Sequence, residues 1–275
     1  MQTESLVGVI LAAGKGTRMA PFSQRFPKPL LPICNRPILE YQIEYMKQAG
    51  ITDIILVIGH LGYAIARSFG DGDSLGVKIR YVEQEETLGI AHAVGRLEPY
   101  ISSPFLLFLG DIFFITEELS QMIRLLTEKK ASAVLAVKEE QDPEAIKRNF
   151  AVRMNEEGYV QRVIEKPRYV TNPIKGCGLY LFDLHIFDAI RRTPRTAMRD
   201  EYEITDAIQI LVDDGFPVVV SHVVKKDMNV SFPHDLLLCG LEELKHRGKT
   251  AIVGRDCEIH PDARLDRAII GDRVR

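Results

Sequence analysis

Residues 7–19 read Val-Gly-Val-Ile-Leu-Ala-Ala-Gly-Lys-Gly-Thr-Arg-Met, and the fold is decided there. Val7–Leu11 is apolar throughout, without polar alternation, the pattern of a strand buried on both faces in a parallel sheet. The run passes into Ala12, Ala13 and Gly14, with Gly16 following. Glycines at these positions let backbone N–H groups approach phosphate oxygens closely, and Arg18 adds a fixed cation. A lone Gly-x-Gly also occurs in ordinary strand-to-helix turns. Two familiar phosphate loops are excluded. The dinucleotide fingerprint needs a third glycine where Met19 stands, and a Walker A loop needs Gly-Lys-Ser/Thr, whereas Thr17 follows Gly16 directly.

Outward from this stretch, short β-rich runs alternate with helical patterns. Pro37 suits a helix start, and Ile38, Tyr41, Gln42, Tyr45 and Met46 keep helical spacing up to a stop at Gly50. Ile54–Ile58 and Phe105–Leu109 read as further buried strands, Lys78–Val82 as a half-exposed one, and Ala133–Val137 as a fourth buried strand. Leu88–Leu97 reads as a helix with Thr87 available as its N-cap, and Glu117–Lys130 as another. This order predicts an α/β fold: a Rossmann-like, mostly parallel mixed sheet with helices on both faces. In the second half, Phe150–Met154 and Tyr159–Glu165 flank an Asn-Glu-Glu-Gly turn and predict a hairpin. Gly178–Phe182 and Pro217–Val224 are further expected strands; Leu184–Arg192, Ile204–Asp214 and Pro233–Arg247 are expected helices. After residue 248 aliphatic residues recur at roughly six-residue intervals near glycines, the look of a hexapeptide left-handed β-helix. The expected division is a catalytic domain over 1–248 and the start of that β-helix over 249–275.

The net charge of −3 over 275 residues, with basic residues scattered, leaves no footprint for nucleic acid or an anionic membrane. Four cysteines without metal-ligand spacing read as reduced intracellular thiols. The first residues lack a basic region followed by a long apolar core, so neither a leader nor a membrane span is expected, and a cytoplasmic protein is. His60, His92 and His185 share no metal-ligand spacing.

Phe26-Pro-Lys-Pro-Leu-Leu-Pro32 follows the glycine loop; prolines on both sides of Lys28 forbid a helix and hold the lysine in an extended segment. Taken alone, the segment reads better as a surface lysine in a proline-rich loop. Gly110 and Asp111 end the third buried strand, so they and Gly14 share the carboxyl rim, where open α/β sheets bind ligands. A carboxylate on that rim suits Mg²⁺, which takes oxygen ligands and substrate phosphates; an isolated aspartate there could also be a turn residue.

The two segments together resemble the sugar nucleotidylyltransferase signature, LxAGxGTRx followed by KPLLPI. Gln84 with Leu88–Ala93 is similar to the family's base-recognition segment, Leu109–Asp111 to its metal-binding strand end, and Glu165–Pro167 to its sugar-phosphate segment. Gly176–Tyr180 and Glu203–Asp206 fit as well, so the resemblance covers nearly the whole chain. It implies the nucleotide-diphospho-sugar transferase fold and transfer of a nucleoside monophosphate from a triphosphate to a sugar 1-phosphate. UTP or dTTP and glucose 1-phosphate are the first expectation; mannose 1-phosphate with GTP and an N-acetylhexosamine phosphate with UTP remain open. It further implies roles for single residues. Leu11, Ala12, Ala13, Gly14, Gly16 and Thr17 would cradle the triphosphate, and Arg18 and Lys28 would stabilise charge as pyrophosphate leaves. Gln84 and Gly89 would read a pyrimidine edge, Glu165 would contact sugar hydroxyls, Lys166 would hold the sugar phosphate, Gly178 would belong to the same substrate site, and Asp111 would hold Mg²⁺.

Two departures stand out. Many members carry a second metal-binding aspartate where this chain has Asn229; an amide oxygen is a legitimate hard ligand, and Asp227 is the alternative. Where glucose-specific members show Tyr-Gly-Val-Val, this chain reads Asn149-Phe-Ala-Val152, which bears on the sugar more than on catalysis. A homo-oligomer is expected. The competing class is a catalytically silent nucleotide-sugar-binding subunit, against which the retention of Arg18, Lys28, Asp111 and Lys166 counts.

Overall fold

The computed structural model describes residues 6–197 and 199–275. The expectation that no leader begins the chain falls on residues 1–5 and lies outside the described residues.

In chain order the elements are β1 (Val7–Ala12), α1 (Ile38–Gln48), β2 (Asp53–Ile58), α2 (Gly62–Phe69), β3 (Lys78–Glu83), α3 (Ile90–Gly95) and β4 (Phe105–Leu109). They continue with β5 (Ile112–Thr116), α4 (Ser120–Glu128), β6 (Ala133–Glu139), α5 (Pro143–Lys147), β7 (Phe150–Met154), β8 (Val160–Glu165) and β9 (Ile174–Phe182). The last are α6 (His185–Arg192), α7 (Ile204–Asp213), β10 (Val218–Ser221), β11 (Val224–Asn229), α8 (Pro233–His246), β12 (Ala251–Val253) and β13 (Ala268–Ile270).

A nine-stranded sheet forms the centre, in the order β8-β7-β9-β4-β1-β2-β3, with β6 on β9 and β10 on β6. The half that carries the glycine loop is parallel throughout: β1 pairs in parallel with β2 and with β4, and β2 with β3. Val9, Ile10, Leu56 and Leu107 are buried, as apolar runs covered on both faces must be. The other half turns antiparallel at β9, which runs against β4, β6 and β7. One hydrophobic cluster on each face packs the helices, one containing Val9, Phe105 and Phe187, the other Ile10, Phe108 and Met122. A mixed sheet sandwiched by helices is what the alternating pattern predicts.

The structure revises several boundaries. The expected strand Pro217–Val224 is two: β10 runs parallel to β6 in the main sheet, while β11 leaves it and pairs antiparallel with β5. This second, two-stranded sheet packs with α1 and α8 around Met19, Tyr41, Phe113 and Cys239. Thr87 is not an N-cap, because α3 begins at Ile90 with Gly89 in the capping position. The expected hairpin is present, its turn closed by the Gly158 amide on the Asn155 carbonyl at 3.1 Å. In the C-terminal stretch β12 and β13 pair in parallel, Ala251 beside Ala268.

Candidate active site

The carboxyl ends of β1 and β4 are neighbours, Leu11 opposite Leu109, so the glycine loop and Asp111 open onto one lip. Gly110 makes this possible. Its amide donates to the Leu11 carbonyl at 2.9 Å, and a Cβ there would stand 2.6 Å from that same oxygen. The turn carrying Asp111 is held from below by Gln42 of α1, itself 1% exposed. Its Nε2 donates to the carbonyls of Leu109 (3.0 Å) and Ile112 (2.8 Å), one on each side of the Gly110-Asp111 pair.

Around this lip lies a cleft of about 470 Å³. Of the residues singled out from sequence, Leu11, Ala12, Ala13, Gly14, Arg18, Lys28, Gln84, Gly89, Asp111, Glu165, Lys166, Gly178 and Asn229 line it. Gly16 and Thr17 are not among the lining residues: Gly16 takes a left-handed conformation (φ 59°) and starts the short turn Thr17–Met19 that carries Arg18. The amides of Gly14, Lys15 and Gly16 donate to no protein group among the described residues, which leaves three successive N–H groups for an anion.

Lys28, 8% exposed, places its Nζ 2.6 Å from Asp111 Oδ2, while the Asp111 side chain is half-exposed. The Asp111 carbonyl accepts from the Val230 amide at 3.0 Å, and in the β5–β11 ladder Asn229 stands opposite Ile112. The carboxylate and the amide side chain therefore come from adjacent rungs at one end of the cleft. This donor set, hard oxygens with no histidine or thiolate, fits Mg²⁺, which fills the rest of its shell with water and phosphate. No cluster of three or more His, Cys, Asp or Glu side chains exists among the described residues, so the protein alone supplies only part of a metal shell. Asp227, the alternative ligand, has a carboxylate 1% exposed, bound by Lys138 at 3.0 Å and by Lys175, and is not among the residues lining the cleft.

Gln84 is 9% exposed, with its Nε2 donating to the Glu86 carbonyl at 2.9 Å. Opposite it, Gly89 at φ 107° touches the backbone of Tyr202, where a Cβ would come within 2.4 Å of the carbonyl oxygen. At the far end the Lys166 amide donates to the Asn149 carbonyl at 2.8 Å, tying the start of β7 to the end of β8. Glu165 accepts from Thr205 Oγ1 at 3.2 Å and lies 3.5 Å from Lys166 Nζ. Burial, and then the charge of Glu203, push the Glu165 carboxyl above its usual range against the pull of Lys166 and Arg199. Arg18 extends over the ring of Phe232, 5.5 Å from its centroid. The amide of Phe232 is fixed by Asp235 at 2.7 Å.

Arg148, Asn149, Glu201, Glu203 and Ser231 also line the cleft and were not singled out as site residues from sequence. The hairpin register carried the signal for Asn149. Pairing Phe150 with Glu165 sets the residue before β7 beside the residue after β8, which is Lys166. Of the histidines, His92 stacks near Tyr202 and His185 bonds Asp183, both without metal-ligand company.

The chain is similar to several known proteins. The chain is 36% identical to the low-salt glycan biosynthesis nucleotidyltransferase Agl11 of Haloferax volcanii over 79% of its own length and 60% of that protein's. It is 32% identical to a glucose-1-phosphate thymidylyltransferase of Streptomyces antibioticus over 90% of its own length and 71% of that protein's. The chain thus spans less than two thirds of the first of these relatives. A UDP-glucose pyrophosphorylase solved with UDP-glucose has the same fold, with a TM-score of 0.78 at 23% identity over 89% of this chain and 100% of that one. The nucleotidyl transferase family model matches residues 7–227, which include the loop, Lys28, Asp111 and the Glu165-Lys166 pair. By that match and those likenesses, the chain is a member of the nucleotidyl transferase family.

Proposed function

We propose that this cleft transfers a nucleoside monophosphate from a pyrimidine nucleoside triphosphate, UTP or dTTP, to a sugar 1-phosphate, with glucose 1-phosphate favoured. The observation that carries the reading is the lip itself: Lys28 on Asp111, Asn229 one rung away, and the glycine loop entering the same cleft at Gly14, its amides at 14–16 without a partner among the described residues. The loop amides and Arg18 receive the β- and γ-phosphates, and Lys28 neutralises charge as the bond to pyrophosphate breaks. Lys166 holds the sugar phosphate so that one of its oxygens attacks the α-phosphorus in line. One P–O bond forms, one breaks, and pyrophosphate carries away the electron pair. The nucleophile is already anionic, so no protein base is required, and positioning supplies most of the acceleration. Asp111 and Asn229 would hold Mg²⁺, which when bound neutralises phosphate charge. Gln84 and the Gly89 backbone read the base edge; likeness to a thymidylyltransferase supports a pyrimidine there.

A cytoplasmic homo-oligomer is the expected setting. All four thiols are free, and no described helix is long and apolar enough to cross a membrane. The parallel β12–β13 pair is read as the opening coil of a left-handed β-helix. The test is a matrix of triphosphates against sugar 1-phosphates with Mg²⁺, read as pyrophosphate release. A uracil or thymine nucleotide with glucose 1-phosphate should lead. Dominance of GTP with mannose 1-phosphate would overturn the base assignment, and silence across the matrix would overturn the enzyme reading.

A further inference from the structure

At the far end of the cleft the wall is built by the start of β7. Phe150 is 5% exposed and stands directly across from Glu165 in the β7–β8 register, so ring and carboxylate share one face of the sheet. On its other side the ring occupies the space a side chain at residue 176 would need. A Cβ on Gly176 would lie 1.8 Å from the ring's Cζ and 2.0 Å from its Cε2. Phe150 accordingly lines the cleft and Gly176 does not. The ring is backed by Tyr180, stacked at 6.0 Å between centroids and 14° between planes, and Tyr180 is backed in turn by Phe182 at 5.6 Å and 12°. Bulk supplied from position 150 therefore excludes any side chain, polar or not, from position 176. Phe150 and Tyr180 thus give this end of the cleft, beside Glu165, an aromatic lining.

We infer that Phe150 is a specificity-determining residue, and that the enzyme accepts a hexose 1-phosphate deoxygenated at the position facing this ring at least as well as the fully hydroxylated sugar. This rests on the nucleotidyl-transfer reading above. A hydroxyl pressed against the ring gives up water and gains no partner, whereas a C–H or methyl loses nothing and gains contact. A wall that hydrogen-bonds a hydroxyl rejects the analogue lacking it by large factors; an apolar wall does not. The substrate class is thus a deoxyhexose 1-phosphate, with Glu165 and Lys166 reading the neighbouring hydroxyl and the phosphate.

The experiment measures kcat/KM for glucose 1-phosphate and its 2-, 3-, 4- and 6-deoxy analogues by pyrophosphate release. The expected result is that one analogue equals or exceeds glucose 1-phosphate, while those altered elsewhere fall by about tenfold or more. In Phe150→Gly combined with Gly176→Asn, the volume moves back and an amide reaches the wall. The favoured analogue should then lose about tenfold against glucose 1-phosphate. A drop of about tenfold for every analogue with the unaltered enzyme would overturn the inference. So would an unchanged analogue profile in the double variant. If that variant fails to fold, the series on the unaltered enzyme decides alone. Absence of pyrophosphate from every sugar phosphate marks the different failure, that of the transfer reaction itself, and ends this inference with it.

Discussion

Asp227 offers the sharpest test of how the cleft is anchored. Its carboxylate is 1% exposed and lies between Lys138, 17% exposed, and Lys175, 4% exposed, with Glu140 on the far side of Lys138 at 3.0 Å. Asp227→Asn keeps the shape and removes the charge, so Lys175 is left buried without an acidic partner among the described residues. Breaking a buried pair in this way costs about 3–5 kcal/mol, a large share of the roughly 5–15 kcal/mol that holds a protein folded. For a chain of this size, about 2 °C of Tm per kcal/mol gives a fall of roughly 6–10 °C, read by calorimetry or circular dichroism at neutral pH. The control is Asp53→Asn, whose partner Arg80 is 38% exposed; that pair should contribute less than about 1 kcal/mol. The combination of Asp227→Asn with Lys175→Met should recover more than half of the loss, because an apolar side chain in that space carries no unpaired charge. A single Asp227→Asn variant melting within about 2 °C of the parent would refute the reasoning.

Four further outcomes follow from the cleft. Asp111→Asn should lower kcat by about a hundredfold or more while leaving the Tm within a few degrees; unchanged turnover would remove Asp111 from the chemistry. Lys166→Ala should raise the KM for the sugar phosphate by about tenfold or more with the triphosphate KM unaltered, and steady-state kinetics would expose the reverse pattern. Phe232→Leu keeps an apolar side chain but removes the ring beneath Arg18, so kcat should fall by about two- to fivefold, whereas Phe232→Tyr should stay within about twofold. Equal losses in both would show that the ring's charge distribution is irrelevant. Glu165 binds its proton more tightly folded than unfolded. Its contribution to stability is therefore fully present below the unfolded carboxylate range and lost as pH rises through the raised folded value. Glu165→Gln should melt above the parent at about pH 7 and no higher at about pH 3, while weakening sugar-phosphate binding; a lower Tm at pH 7 would contradict the sign.

The sequence made the parallel half of the sheet legible because apolar runs such as Phe105–Leu109 are covered on both faces and carry no competing signal. Ile112–Thr116 is also largely apolar, yet the sequence reading assigns it no element. Only its pairing with the distant β11 defines it as a strand, and long-range pairing leaves no local trace. The same loss hid the break inside Pro217–Val224, where the chain changes sheets. Thr87 failed as a cap because Gly89, with φ 107°, delays the helix until Ile90. Within the cleft, Arg18, Lys28 and Asp111 were readable from motif and strand-end position. The burial of Asp227 beside Lys138 and Lys175, residues 89 and 52 positions earlier, cannot be seen along the chain. The exchange between Phe150 and Gly176 was half visible, as an odd phenylalanine without its counterpart.

Gln42 sits on α1, which contributes no side chain to the cleft wall, yet its amide clasps both shoulders of the turn bearing Asp111. The aim of that acid is therefore governed from outside the pocket, by the seating of a helix against its neighbours. Changes among the buried residues of α1 would therefore reach the chemistry as well as the stability. Redesigning this pocket means treating the helix as part of it.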